Sequence, residues 1–145
     1  MNKPILLVED DENDVFLLTK AMKRLGIANP VQIACDGQQA IDYMEGQGKF
    51  SDRQEFPVPY LVLLDLKLPR VKGLDVLKRI REVDGARPIV VILSSSRNAT
   101  DVSEAYALGA NAYLAKPADF DSLIKMVGSI CDFWLTYNVV NPLNL

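Results

Sequence analysis

The sequence predicts an α/β fold: a doubly wound, five-stranded parallel sheet with helices on both faces. Three observations predict it. Short apolar runs alternate five times with segments of helical period. Three of those runs, at residues 5–8, 60–64 and 89–93, are apolar at every position, as strands buried on both faces must be. Parallel strands also need crossover connections, and right-handed crossovers place helices on both sides of a sheet.

The elements follow in order. Residues 5–8 form the first strand, ahead of the acidic cluster Glu9, Asp10 and Asp11. Val15, Leu18, Met22 and Leu25 recur at three- and four-residue steps and predict a helix over 13–25, with Gly26 as its C-terminal cap. Residues 31–35 form a second strand. Ala40, Ile41 and Met44 mark a second helix that gives way to the polar segment 46–55. The third strand runs to Asp65. Leu74, Leu77 and Ile80 place a third helix at about 73–83, and the fourth strand ends at Ser94. Val102, Ala105, Tyr106 and Leu108 give a fourth helix closed by Gly109, and residues 112–115 are the fifth strand, ending at Lys116 and Pro117. Asp119 is a fitting N-cap for a long last helix whose apolar face runs from Phe120 through Leu123, Ile124, Val127, Ile130 and Cys131 to Trp134. The whole is a (βα)5, flavodoxin-like three-layer sandwich.

Size and composition fit one domain. The chain has 145 residues, 49% of them hydrophobic, enough to bury a core without disulfide or metal staples. The core is expected over about 3–130, with 131–145 as a helix extension and tail and no linker to a second domain. The first apolar run is too short for a signal peptide, and no stretch reaches the ~20 apolar residues of a membrane span. A cytoplasmic protein is expected, with Cys35 and Cys131 reduced and placed in the core. The net charge of −3 is a poor footprint for nucleic acid. The chain has no histidine, which excludes Ser-His-Asp triads, His-ligated metals and a phosphohistidine of its own.

In an open parallel sheet, sites form beyond the carboxyl ends of the strands. Those ends carry Glu9, Asp10 and Asp11, then Asp65, then Ser94, Ser95 and Ser96, then Lys116. Carboxylates gathered at one edge repel each other unless a cation offsets them. With oxygen ligands alone, the natural cation is hard: Mg²⁺. Lys116 and Ser94 fit phosphate, and a carboxylate can be the nucleophile in phosphoryl transfer.

These residues resemble the receiver domain of bacterial two-component response regulators. The resemblance runs over about 3–127 and rests on four pieces, each at a strand end: 5–10, 63–69 with Gly73, 93–96 and 109–117. It implies that Asp65 is the phosphoacceptor, that Asp10 binds Mg²⁺ directly and Glu9 largely through water, and that the Lys67 backbone carbonyl is a further ligand. It implies that Ser94 is the switch hydroxyl, Tyr113 the aromatic that moves with it, and Lys116 the ligand of a phosphoryl oxygen, with Lys116–Pro117 often cis. The phosphoryl group would come from a sensor histidine kinase, and the signal would leave through helix 4, strand 5 and helix 5.

The sequence departs from the family pattern in places. The switch position is more often Thr, and three consecutive serines leave its register open by one. Asp11 offers an alternative partner for Asp10 in the Mg²⁺ pair. Lys67 places a cation beside the site. The segment 46–59 and the tail with Phe133, Trp134 and Tyr137 resemble the single-domain group that serves phytochrome kinases, which implies a homodimer through the last helix and its extension. Tyr106, Phe133, Trp134 and Tyr137 are therefore the expected partner surface, although Trp134 and Tyr137 fold back on their own domain equally well.

Two rival functions remain. An aspartate-nucleophile phosphatase would place a second aspartate two residues on, where this chain has Lys67. A dimeric pseudo-receiver that takes no phosphate would not need the full set of acceptor, acidic pair, hydroxyl and lysine. A dinucleotide binder would carry Gly-x-Gly-x-x-Gly after the first strand, which is absent.

Overall fold

The computed structural model describes residues 2–83 and 87–142. Positions 143–145 of the expected tail lie outside the described residues. Five strands, β1 (Ile5–Val8), β2 (Val31–Ala34), β3 (Leu61–Leu64), β4 (Ile89–Ser94) and β5 (Ala112–Ala115), alternate with five helices. These are α1 (Glu12–Arg24), α2 (Gly37–Glu45), α3 (Gly73–Glu82), α4 (Ala99–Ala107) and α5 (Phe120–Cys131). All strand pairings are parallel, in the order β2-β1-β3-β4-β5, so the expected fold is the observed one.

The unbroken apolar runs have a direct cause. Successive side chains of a strand point to opposite faces. Ile5, Leu7, Leu61, Leu63, Val91 and Leu93 fill the layer under α1 and α5. Their neighbours Leu6, Val8, Leu64, Val62, Val90 and Ile92 fill the layer under α2, α3 and α4. The central strands are thus buried on both sides, while β2 and β5, at the edges, are half-buried except at Ala34.

Helix ends are set by local chemistry. Asp11, Asp36, Asn98 and Asp119 each cap a helix by accepting a backbone N–H with the side chain. Leu25 is the last residue to continue α1, and Gly26 follows at φ +70°, a left-handed conformation suited to glycine. The polar segment after α2 is more organised than its composition predicts. Phe56 packs edge to face on Tyr43 and Phe50, which tilt against each other, and Arg53 ties the loop by donating to the carbonyls of Met44 and Phe56.

Three expectations are corrected. Cys35 is exposed rather than in the core: β2 ends at Ala34, and Cys35 already belongs to the loop leading to Asp36. Cys131 is buried. No peptide bond among the described residues is cis, so Lys116–Pro117 is trans. The last helix does not run on as one α-helix, because after Cys131 the chain widens into a π-helical stretch over Asp132–Tyr137. That stretch turns Trp134 and Leu135 onto the α1–α5 core layer and leaves Phe133 and Tyr137 exposed. Among the described residues, no helix is long and apolar enough to cross a membrane.

Candidate functional site

The strand order changes direction between β1 and β3, and the crevice at their carboxyl ends is where open α/β sheets bind ligands. Backbone pairing continues one residue past the strands there. Glu9 donates its N–H to Ala34 and Asp65 donates its N–H to Val8, at 3.1 Å each. This places Glu9 and Asp65 side by side at the sheet edge, both buried. Asp10 stands beside them, exposed, and one carboxylate oxygen from each of the three lies within 4.8 Å of the others. Asp11 is not in this group: its Oδ1 accepts from Asn13 and Asp14 as the cap of α1.

Lys116 completes the site from β5. Its N–H donates to the Ser94 carbonyl at 2.9 Å, which fixes the root of the side chain. Its Nζ then donates to Glu9 Oε2 at 2.7 Å, Asp14 Oδ2 at 3.0 Å and Asp65 Oδ2 at 3.2 Å. The other Asp65 oxygen accepts from the Lys67 N–H at 3.2 Å, while the Lys67 side chain points into solvent. Burial pushes the Glu9 carboxyl up to about 7, with the Asp65 charge adding to the shift and the Lys116 bond opposing it. Lys116 is held above its usual range by the carboxylates around it, against the opposing cost of burial.

The donor set fits a hard divalent cation: three carboxylates, oxygen atoms only, one residue open to solvent. Two residues shape the loop that follows Asp65. Gly73 opens α3 directly against the loop that follows Asp65, where an added Cβ would meet the Asp65 carbonyl and Leu66 Cα at 2.5 Å. Arg70, in the same loop, takes a positive φ of 69°, a strained conformation for a residue with a side chain.

Ser94 is fully buried at the end of β4, whereas Ser95 is exposed, and Ser94 Oγ accepts from the Ser96 N–H at 3.2 Å. Tyr113 donates its hydroxyl to the Ser96 carbonyl at 2.8 Å and its backbone N–H to the exposed Tyr106 hydroxyl at 3.1 Å. These contacts link the strand end to the α4–β5 surface. Phe133, Trp134 and Tyr137 lie on the extension of α5, apart from this cluster in sequence. Sequence reasoning missed Asp14. An acid in a first helical turn reads as a partner for the helix dipole, and its position one turn after Asp10 was the available signal.

The model of the response regulator receiver domain matches residues 5–128. The chain belongs to this family. It is therefore a phosphoacceptor signalling protein of the two-component type rather than an enzyme acting on a small molecule. Response regulator Rcp1 of Synechocystis is 39% identical over 134 residues, spanning 92% of this chain and 89% of Rcp1. An Mn²⁺-bound structure of Rcp1 superimposes with a TM-score of 0.85 over 96% of this chain and 99% of its own, at 37% identity. The phosphorylated cyanobacterial phytochrome response regulator RcpA gives a TM-score of 0.89 at 34% identity, covering 96% and 98%. A probable methanogenesis regulatory protein, FilR2 of Methanothrix harundinacea, is 38% identical over 92% of this chain and 84% of its own.

Proposed function

We propose that Asp65 accepts a phosphoryl group from the phosphohistidine of a sensor kinase, in a reaction that requires Mg²⁺ held by Glu9, Asp10, Asp65 and the Lys67 carbonyl. The observation that carries this reading is the convergence of Lys116 Nζ, Glu9 and Asp65, with Asp10, at the switch point of the sheet. An Asp65 oxygen attacks phosphorus. A new O–P bond forms, the P–N bond to the donor imidazole breaks, and the imidazole nitrogen keeps the electron pair. The bound cation supplies charge neutralisation for the transferring group. Lys116 donates to a phosphoryl oxygen, and the Lys67 N–H keeps the acceptor carboxylate oriented.

Ser94 supplies the switch hydroxyl. Its contact with the Ser96 N–H, and the Tyr113 bonds to Ser96 and Tyr106, support a route from the acyl phosphate to the surface of α4, β5 and α5. Phosphorylation biases a two-state equilibrium of that surface. The protein acts in the cytoplasm. Similarity to the cyanobacterial phytochrome response regulator RcpA supports a phytochrome-type kinase as donor. The exposed Tyr106, Phe133 and Tyr137, with Trp134 packed against Phe133, support self-association through a homodimer surface, checked by sedimentation.

Intact-mass measurement after incubation with acetyl phosphate and Mg²⁺ tests the central step. A gain of about 80 Da that needs both Mg²⁺ and Asp65, and is absent from Asp65→Asn, is the expected result. No gain in the wild-type protein favours the pseudo-receiver.

A further inference from the structure

Lys116 has three N–H donors, and three carboxylates receive them. Glu9 and Asp65 belong also to the oxygen group suited to a cation, so their lone pairs have a second claim on them. Asp14 does not. It reaches the ammonium from the first turn of α1, and its own backbone is pinned because its N–H donates to the cap residue Asp11 at 3.1 Å. The Asp14 side chain is about one-third exposed and that of Lys116 17% exposed, so this contact lies on the solvent side of the buried Glu9 and Asp65. A lysine stem has four rotatable bonds and no fixed geometry of its own. Something must hold its head when the inner carboxylates turn to other work.

We propose that Asp14 is a positioning residue for phosphoryl transfer: its carboxylate holds Lys116 Nζ at the mouth of the site, so that the donors released by Glu9 and Asp65 meet the incoming phosphoryl oxygens. This inference rests on the reading of Asp65 as phosphoacceptor. It assigns Asp11 a supporting part, since the cap that starts α1 also fixes where Asp14 stands. It also predicts a sign. If Asp14 acted through charge alone, removing an anion beside an incoming dianion would speed transfer. As a tether, removing it slows transfer, because a misplaced donor forfeits much of the benefit of orientation.

The test compares wild type, Asp14→Ala and Asp14→Asn, following mass gain from saturating acetyl phosphate over time and measuring Mg²⁺ affinity by calorimetry. Asparagine keeps an acceptor oxygen at the same reach and loses the charge. The expected result is a maximal rate about tenfold lower for Asp14→Ala, near-wild-type rate for Asp14→Asn, and Mg²⁺ affinity within about twofold in both. Asp14→Ser, too short to span the contact, replaces the alanine variant if that protein does not fold. An alanine variant as fast as wild type or faster, an asparagine variant as slow as alanine, or a loss of Mg²⁺ affinity matching the loss of rate each overturns the proposal. Failure of the wild-type protein to gain mass is a different outcome: it removes the phosphoacceptor reading itself, and this inference with it.

Discussion

Lys116 Nζ lies 2.7 Å from Glu9 Oε2, yet the Glu9 carboxyl is pushed up to about 7. The ion pair does not win because Glu9 is almost fully buried and sits against the charge of Asp65. A shared ammonium only partly repays the cost of taking a carboxylate out of water. Near neutral pH the proton on Glu9 therefore competes with any cation for the same oxygens.

The first prediction concerns that competition. Cation binding requires the deprotonated carboxylate, so apparent Mg²⁺ affinity should weaken by up to about tenfold per unit as pH falls below about 7, and level off above it. Glu9→Gln should bind less tightly overall but with a flatter profile across that window. Calorimetric Mg²⁺ titrations between about pH 5.5 and pH 8 check both. A wild-type profile already flat at pH 6 would show that Glu9 is ionised throughout.

Stability carries the same signature with a definite sign. The folded-state value of Glu9 lies above its ordinary 4.5, so the folded protein binds this proton more tightly than the unfolded chain does. Its contribution is then greatest below 4.5 and is lost as pH rises to about 7. In chelator, the unfolding midpoint should therefore carry a declining component across that interval. Mg²⁺ at about ten times its Kd should add roughly 1.4 kcal/mol at neutral pH, a rise in Tm of about 3–5 °C. Asp10→Asn should remove most of that rise, as thermal scans with and without Mg²⁺ would show.

Much of this fold was legible because one physical rule acts on each element separately. A parallel strand covered on both faces must be apolar at every position, and 61–64 and 89–93 are. The strand ends then gather Glu9, Asp10, Asp65, Ser94 and Lys116 without any knowledge of packing. What was not legible depends on two elements meeting. Asp14 gains its meaning only when Lys116 arrives from the end of β5, and its place one turn after Asp10 was the sole hint of that. Cys35 follows the apolar Ala34, but β2 is an edge strand that ends one residue earlier. Arg81, an ordinary charged residue of α3 in sequence, proves to clamp nearby Pro88 to Gly109 and Asn111, which are remote from it along the chain.

The thiols should differ in reactivity. Burial pushes the Cys131 thiol up to about 11, and it sits in the α1–α5 core layer, whereas Cys35 is exposed at the end of β2. Thiolate is the reactive form. A disulfide-exchange reagent at neutral pH should titrate one thiol per native chain quickly, and the second only on unfolding. Cys35→Ser should abolish the fast phase. Two fast thiols in the native protein would mean that α5 opens readily.

The last prediction separates two glycines. Gly73 begins α3 where an added Cβ would strike the Asp65 carbonyl and Leu66 Cα at 2.5 Å, both backbone positions that cannot rotate away. Gly26 follows α1 at φ +70° with open space around the missing Cβ. Gly26→Ala meets only the penalty of a left-handed conformation, about 1–2 kcal/mol, remote from the strand ends. Gly73→Ala adds overpacking of about 1–3 kcal/mol, and relief can come only by moving α3 or the loop that follows Asp65. Both variants should therefore lower the denaturation midpoint. Only Gly73→Ala should also slow mass gain from acetyl phosphate, because its strain displaces the backbone that presents Asp65. Equal phosphorylation rates in the two variants would mean that α3 absorbs the added methyl group and the acceptor stays in place.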